Sequence, residues 1–162
     1  MDFKKLLAYQ KAFSLATEIK KVSDSFPKDE KYALTDQVRR SSRSVCANIA
    51  EAYRKRRYIN HFISKLTDSD GENSETSVWL DFALECNYLS KEQHIDMVVK
   101  SEEIGKLITS IHAAKISSGT ELEHIIEENK EINLIGDVDL FFDNINNFDV
   151  GTYLINKKSL KN

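Results

Sequence analysis

The chain has 162 residues, 41% hydrophobic and 30% charged, with a formal net charge of −3. That size and balance describe one domain that can bury a core, with room for an appendage. No apolar run reaches the roughly 18 residues of a membrane span, no secretion signal is readable at the N-terminus, and Cys46 and Cys86 read as reduced thiols, so a cytoplasmic protein away from membranes is expected.

Four helices follow in chain order. The first spans about Phe3 to Asp24, with Leu6, Leu7, Phe13, Leu15, Ala16, Ile19 and Val22 as its apolar positions, and Phe26-Pro27 ends it. The second spans about Asp29 to Arg56. Leu34, Val38, Val45, Ile49 and Ala52 line one side of it at helical spacing. At about 100° per residue, Arg39, Arg43, Arg54 and Arg57 fall opposite, and Arg40 flanks them. The third spans about Tyr58 to Cys86, and the middle of its core stripe is small and polar: Ser69, Asn73, Thr76 and Ser77. Close helix packing with these groups satisfied internally is the expectation. Gly71 weakens the helix and is read as room for a neighbour. Val78, Trp79 and Phe82 lie off that stripe, as a subunit interface or a surface covered by the tail. After the turn Asn87-Tyr88-Leu89, Ser90 and Gln93 make a capping box. The fourth helix runs from about Lys91 to Ile116, closed by Ser117-Ser118-Gly119.

Long helices joined by short loops predict an all-α fold, an antiparallel up-down-up-down four-helix bundle over residues 1–118. Residues 119–162 form an acidic C-terminal extension. Its apolar residues Leu140, Phe141, Phe142, Phe148, Tyr153 and Leu154 are candidates to dock on the bundle or on a neighbouring subunit.

Charge is unevenly spread. Residues 1–119 carry 19 basic and 17 acidic residues, and residues 120–162 carry 4 and 9. From Arg39 to Arg57 there are seven cations against Glu51 alone; from Asp68 to Glu103, ten acids stand against Lys91 and Lys100. Such asymmetry concerns partners rather than fold. Catalytic signatures are missing: there is no CxxC, HExxH, Walker loop or dinucleotide fingerprint. Glu121 and His124 make one ExxH, where a di-iron bundle needs two. DSDGENSE, residues 68–75, has Ser77 where a calcium loop of the EF-hand type needs its closing Glu. No enzyme, metal or cofactor is expected. The basic set Arg39, Arg40, Arg43, Arg54, Lys55, Arg56 and Arg57, interleaved with Tyr53 and Tyr58, suits RNA or DNA phosphates. The other reading pairs these cations with Glu72, Glu75, Asp81 or Glu85 of a protein neighbour.

Several pieces together resemble a known family. They are Tyr9-Gln10-Lys11-Ala12, Phe26-Pro27-Lys28 with Glu30, Gln37-Val38-Arg39-Arg40, Ser44-Val45, Asn48-Ile49-Ala50-Glu51, Phe62, Gly71, Glu75 and Asn87-Tyr88-Leu89. In this order, over about residues 3–116, the chain resembles the four-helix-bundle family of 23S rRNA intervening-sequence proteins, which includes accessory proteins of diversity-generating retroelements. It departs at Ala52, Glu72 and Asn87, where the family usually has Gly, Ser and Gly, and the tail from Thr120 lies outside the pattern. The resemblance implies an antiparallel four-helix bundle that assembles as a homopentamer, without enzymatic activity. In the retroelement branch it implies a positively charged barrel binding nucleic acid and a reverse transcriptase.

Overall fold

A computed structural model describes residues 2–128, with side chains through residue 113. Among them every regular element is helical: α1 (Leu7–Val22), α2 (Leu34–Arg54), α3 (Ile59–Glu85) and α4 (Lys91–Glu128). Each packs against the next, and α4 returns against α1. The crossing ion pairs Lys11–Glu103 at 2.8 Å and Lys100–Glu18 at 2.7 Å set α1 against α4 in antiparallel register. Lys65–Glu51 at 3.2 Å does the same for α3 and α2. These exposed pairs report register and contribute little stability. Burial holds the bundle: Ile19, Val38, Ile49, Tyr53, Phe62, Leu66, Leu80, Met97 and Ile104 have almost no exposed surface.

The helix ends differ from expectation for local reasons. The first helix is preceded by a separate 3-10 turn, Phe3–Lys5, because Leu6 is extended (φ −66°, ψ 126°). The second does not start at Asp29. Lys28–Tyr32 is a 3-10 turn, and the chain breaks at Ala33 (φ −108°, ψ −107°) before α2. The Glu30 carboxylate fixes that break, accepting from the Leu34 N–H at 3.3 Å and from the Tyr88 hydroxyl at 3.3 Å. α3 ends in a Schellman motif, in which Tyr88 N–H donates to Ala83 O at 2.8 Å and Asn87 N–H to Leu84 O at 2.9 Å. Asn87 takes the left-handed position there (φ 59°), which asparagine tolerates better than most residues. The Ser90–Gln93 capping box is present with both bonds, 2.9 and 3.2 Å.

α4 does not stop at Ser117-Ser118-Gly119; it continues to Glu128. Isolated Ser and Gly residues weaken a helix by roughly 1 kcal/mol or less each, and without a proline nothing forces it to end. The expected boundary at residues 118–119 therefore falls inside one helix. The expected docking residues Leu140, Phe141, Phe142, Phe148, Tyr153 and Leu154 lie outside the described residues.

The small polar stripe of α3 is satisfied by its neighbours. Ser69 donates to Val45 O at 3.1 Å, and Thr76 and Ser41 share a bond of 2.9 Å. Asn73 donates to Ser101 O at 2.9 Å and accepts from the Ser101 hydroxyl at 3.0 Å. The glycine serving close packing is Gly105 of α4, where an added Cβ would meet the Asn73 amide at 3.4 Å. Gly71 faces open space in this chain, so the expected close approach is not made there. In α1 the inner positions belong to Ala8, Ala12, Leu15, Ala16 and Ile19, while Leu7 and Phe13, expected in the core, are 44% and 57% exposed.

Candidate nucleic-acid interface

The expected cations form two groups, because about 16 Å of helix separates Arg43 from Arg54, and α2 ends there: Lys55, Arg56 and Arg57 lie in the turn that follows. In the first group, Arg39 is engaged within the chain. Its Nε donates to the buried Ser23 hydroxyl at 2.7 Å, and its Nη2 to Asp24 at 2.9 Å. The hydrogen-bonded Lys20 ammonium and then Arg39 hold the Asp24 carboxyl below the ordinary carboxylate range. Arg40 is exposed, 3.3 Å from the Gln37 side-chain oxygen and 3.9 Å from Glu75. Arg43 is exposed and has no ion pair among the described residues.

In the second group, Lys55 pairs with Glu51 at 2.7 Å, and Lys55 and Lys65 together lower the Glu51 pKa. Arg56 lies 4.4 Å over the Tyr53 ring and donates to Tyr53 O at 3.1 Å. Arg54 lies 5.9 Å from the Phe3 ring centroid and is otherwise open, and Arg57 is exposed. Arg39, Arg40, Arg43 and Arg54 lie on α2, but Arg57 leaves that face because the helix ends at Arg54. Their availability differs: Arg43 and Arg57 have no ion pair among the described residues, Arg54 meets only the Phe3 ring, Arg40 holds a bond to Gln37 and a long contact with Glu75, and Arg39 is locked.

Residues not anticipated from sequence join Arg43. Between α1 and α2 runs a groove of about 630 Å³, lined on one side by Phe3, Tyr9, Phe13, Ala16, Thr17, Lys20 and Lys21, and on the other by Arg43, Cys46, Ala47 and Ala50. It exists because Ala16, Ala47 and Ala50 are too short to fill the space between the helices. Tyr9 and Phe13 stack with centroids 6.1 Å apart, and Phe3 meets Tyr9 edge-on at 5.0 Å. Three cations and no carboxylate line it. Burial pushes the Cys46 thiol up to about 11, so it is neutral and unreactive at physiological pH. A usable signal was present in the sequence: Arg43, Ala47 and Ala50 share one face of α2, and Lys20-Lys21 ends the helix before it.

A sequence profile of 23S rRNA-intervening sequence proteins matches residues 4–110. The chain belongs to that family. A solved structure of a protein of unknown function from the S23 ribosomal protein family of Bacteroides thetaiotaomicron is similar in fold, with TM-score 0.62 and 30% identity. The likeness covers 68% of this chain and 98% of that one. Over 67 residues the chain is also 39% identical to part of the type II restriction enzyme HhaII of Haemophilus parahaemolyticus, covering 40% of this chain and only 29% of that enzyme.

In this member of the 23S rRNA-intervening sequence family, the motif residues mostly serve architecture. Ile49 and Phe62 are core residues, Glu51 bridges Lys55 and Lys65, and Glu75 accepts from the Trp79 indole at 3.0 Å. Of the second expected surface, Val78 and Phe82 are 48% and 52% exposed, whereas Trp79 is half-buried against the core. Among the described residues no group of three or more His, Cys, Asp or Glu side chains is arranged to hold a metal ion, and no helix is long and apolar enough to cross a membrane.

Proposed function

We propose that this chain is a non-enzymatic, cytoplasmic subunit of a homo-oligomer, a pentamer as the family resemblance implies, that binds polynucleotide phosphates through the open cations of α2 and of the turn after it. The observation that carries this is the exposure of Arg43, Arg54 and Arg57 without an ion pair among the described residues, with Arg40 beside them. On α2, the unpaired guanidinium groups of Arg43 and Arg54 are held by a rigid helix and so are preorganised for phosphate oxygens. The match to part of a restriction enzyme leans toward the same class of partner. Assembly would repeat the cations and add avidity to a modest single patch. Lys55, Arg56 and Arg39 contribute less, because each already has a partner in the chain.

The test is binding of a labelled oligonucleotide across a salt series. Log affinity should fall linearly with log salt, and Arg43→Gln or Arg57→Gln should each lower the slope by about one. A salt-independent affinity, or slopes untouched by both substitutions, would remove the reading. The second reading is a protein-interaction scaffold with the arginines in subunit interfaces, favoured by the exposed Val78 and Phe82. Light-scattering mass separates the two: reversing the charge with Arg43→Glu should dissociate the oligomer if the arginines lie between copies, and should leave the mass unchanged if they face nucleic acid.

A further inference from the structure

We propose that the α1–α2 groove is a site for single-stranded polynucleotide, in which an unstacked base lies on the Phe13 ring and neighbouring phosphates meet Lys21 and Arg43. The inference rests on the polynucleotide reading above and narrows it from any phosphate backbone to single strands.

Phe13 is 57% exposed, yet it is not a stray surface residue. Tyr9 stacks on it at 21° between ring planes, so one face is supported and the ring is held as a platform. Lys21 and Arg43 line the same groove from opposite helices, and neither has an ion pair among the described residues. Lys20 is less available, since it is bound to Asp24 at 2.6 Å. The volume, about 630 Å³, lies within the range that holds a nucleotide-sized ligand, about 300–1,000 Å³. An aromatic platform between cations is the arrangement that holds single strands, because every base has a face to stack and every linkage a charge to neutralise. In a duplex the bases are already stacked on each other, so only the cations of the groove would be used.

The experiment measures anisotropy of labelled oligonucleotides of about 12 residues, within the usual span of a single-strand site. Single-stranded RNA, single-stranded DNA and the matching duplexes are compared at one salt concentration with the full chain. Phe13→Ala and Ala47→Met are the variants; both positions are exposed, so neither should disturb folding. Single strands should bind more tightly than duplexes. Phe13→Ala should weaken single-strand binding about 5- to 150-fold, the worth of one stacked base, and leave duplex binding unchanged. Ala47→Met, which fills the groove, should do the same. The better of the two single strands identifies the sugar.

Equal binding of single strands and duplexes, with neither variant altering it, would overturn the groove site and leave the arginine reading standing. No binding of any oligonucleotide would overturn both. Tighter binding by Phe13→Ala would mean that the chain's own acidic, aromatic segment at residues 137–143 fills the groove, and a changed oligomer mass would mean that a second copy does; either result overturns the proposal.

Discussion

The contacts of α3 with α2 and α4, and the contact of α1 with α2, are both built from small side chains, yet only the first is closed. Around α3 the small residues are Ser41, Ser69, Asn73, Thr76 and Ser101, and hydroxyls and an amide reach across to bond one another or a facing carbonyl. Between α1 and α2 they are Ala16, Ala47 and Ala50, which have nothing to reach with, and a groove remains. Small side chains let helices approach; directional polar groups then decide whether the gap is sealed. The sealed contact is structural, and the open one is free to take a ligand.

The contrast can be broken most strongly at Asn73. Asn73→Ala removes both side-chain bonds to Ser101 and leaves a small void, while the Ser101 hydroxyl keeps Ser77 at 2.9 Å, for an expected loss of about 1–3 kcal/mol. Urea unfolding measures it, and a loss below about 0.5 kcal/mol would mean that packing alone seals the contact. Thr76→Val keeps the shape while deleting the bonds to Ser41 and to Glu72 O, and should lower stability by about 1 kcal/mol on the same assay. Gly71→Ala acts on the outer face of α3, where an added Cβ meets nothing within 4 Å, and should raise stability by up to about 1 kcal/mol. A loss instead would reveal another copy packed over that face.

The smallest expected effect is pH-dependent. Burial, and then the charge of Glu75, raises the Glu72 pKa above its ordinary 4.5. The folded protein therefore holds that proton more tightly than the unfolded chain. Ionised Glu72 opposes folding once pH passes above the unfolded value, and has no such effect below it. Glu72→Gln should raise the melting temperature slightly at pH 7, with the gain gone below pH 4.5. An equal gain at both pH values would show that shape rather than charge is responsible.

Periodicity alone makes the bundle readable. Leu34, Val38, Val45, Ile49 and Ala52 repeat at helical spacing, and all five are buried. The capping box at Ser90 and Gln93 was equally legible, because both of its bonds are local in sequence. Periodicity failed for Phe13: it marks a residue as apolar near the stripe, but Ala12 and Ala16 hold the inner positions and turn the ring outward. The capping signal failed at the end of the fourth helix, where Ser117-Ser118-Gly119 reads as a stop and the helix continues.

In the candidate site, helical spacing alone places Arg39, Arg43 and Arg54 opposite the buried stripe, at 100° per residue, but it carries Arg57 past the end of α2. The sequence also determined the family and the helical architecture. Which cations are available depends on the packing of the helices. Arg39 is engaged by Ser23 and Asp24, residues 16 and 15 positions earlier, while Lys21 of α1 comes to line one groove with Arg43. Those pairings depend on how two helices lie against each other, and the spacing of residues along one helix carries no information about the neighbour that will face it.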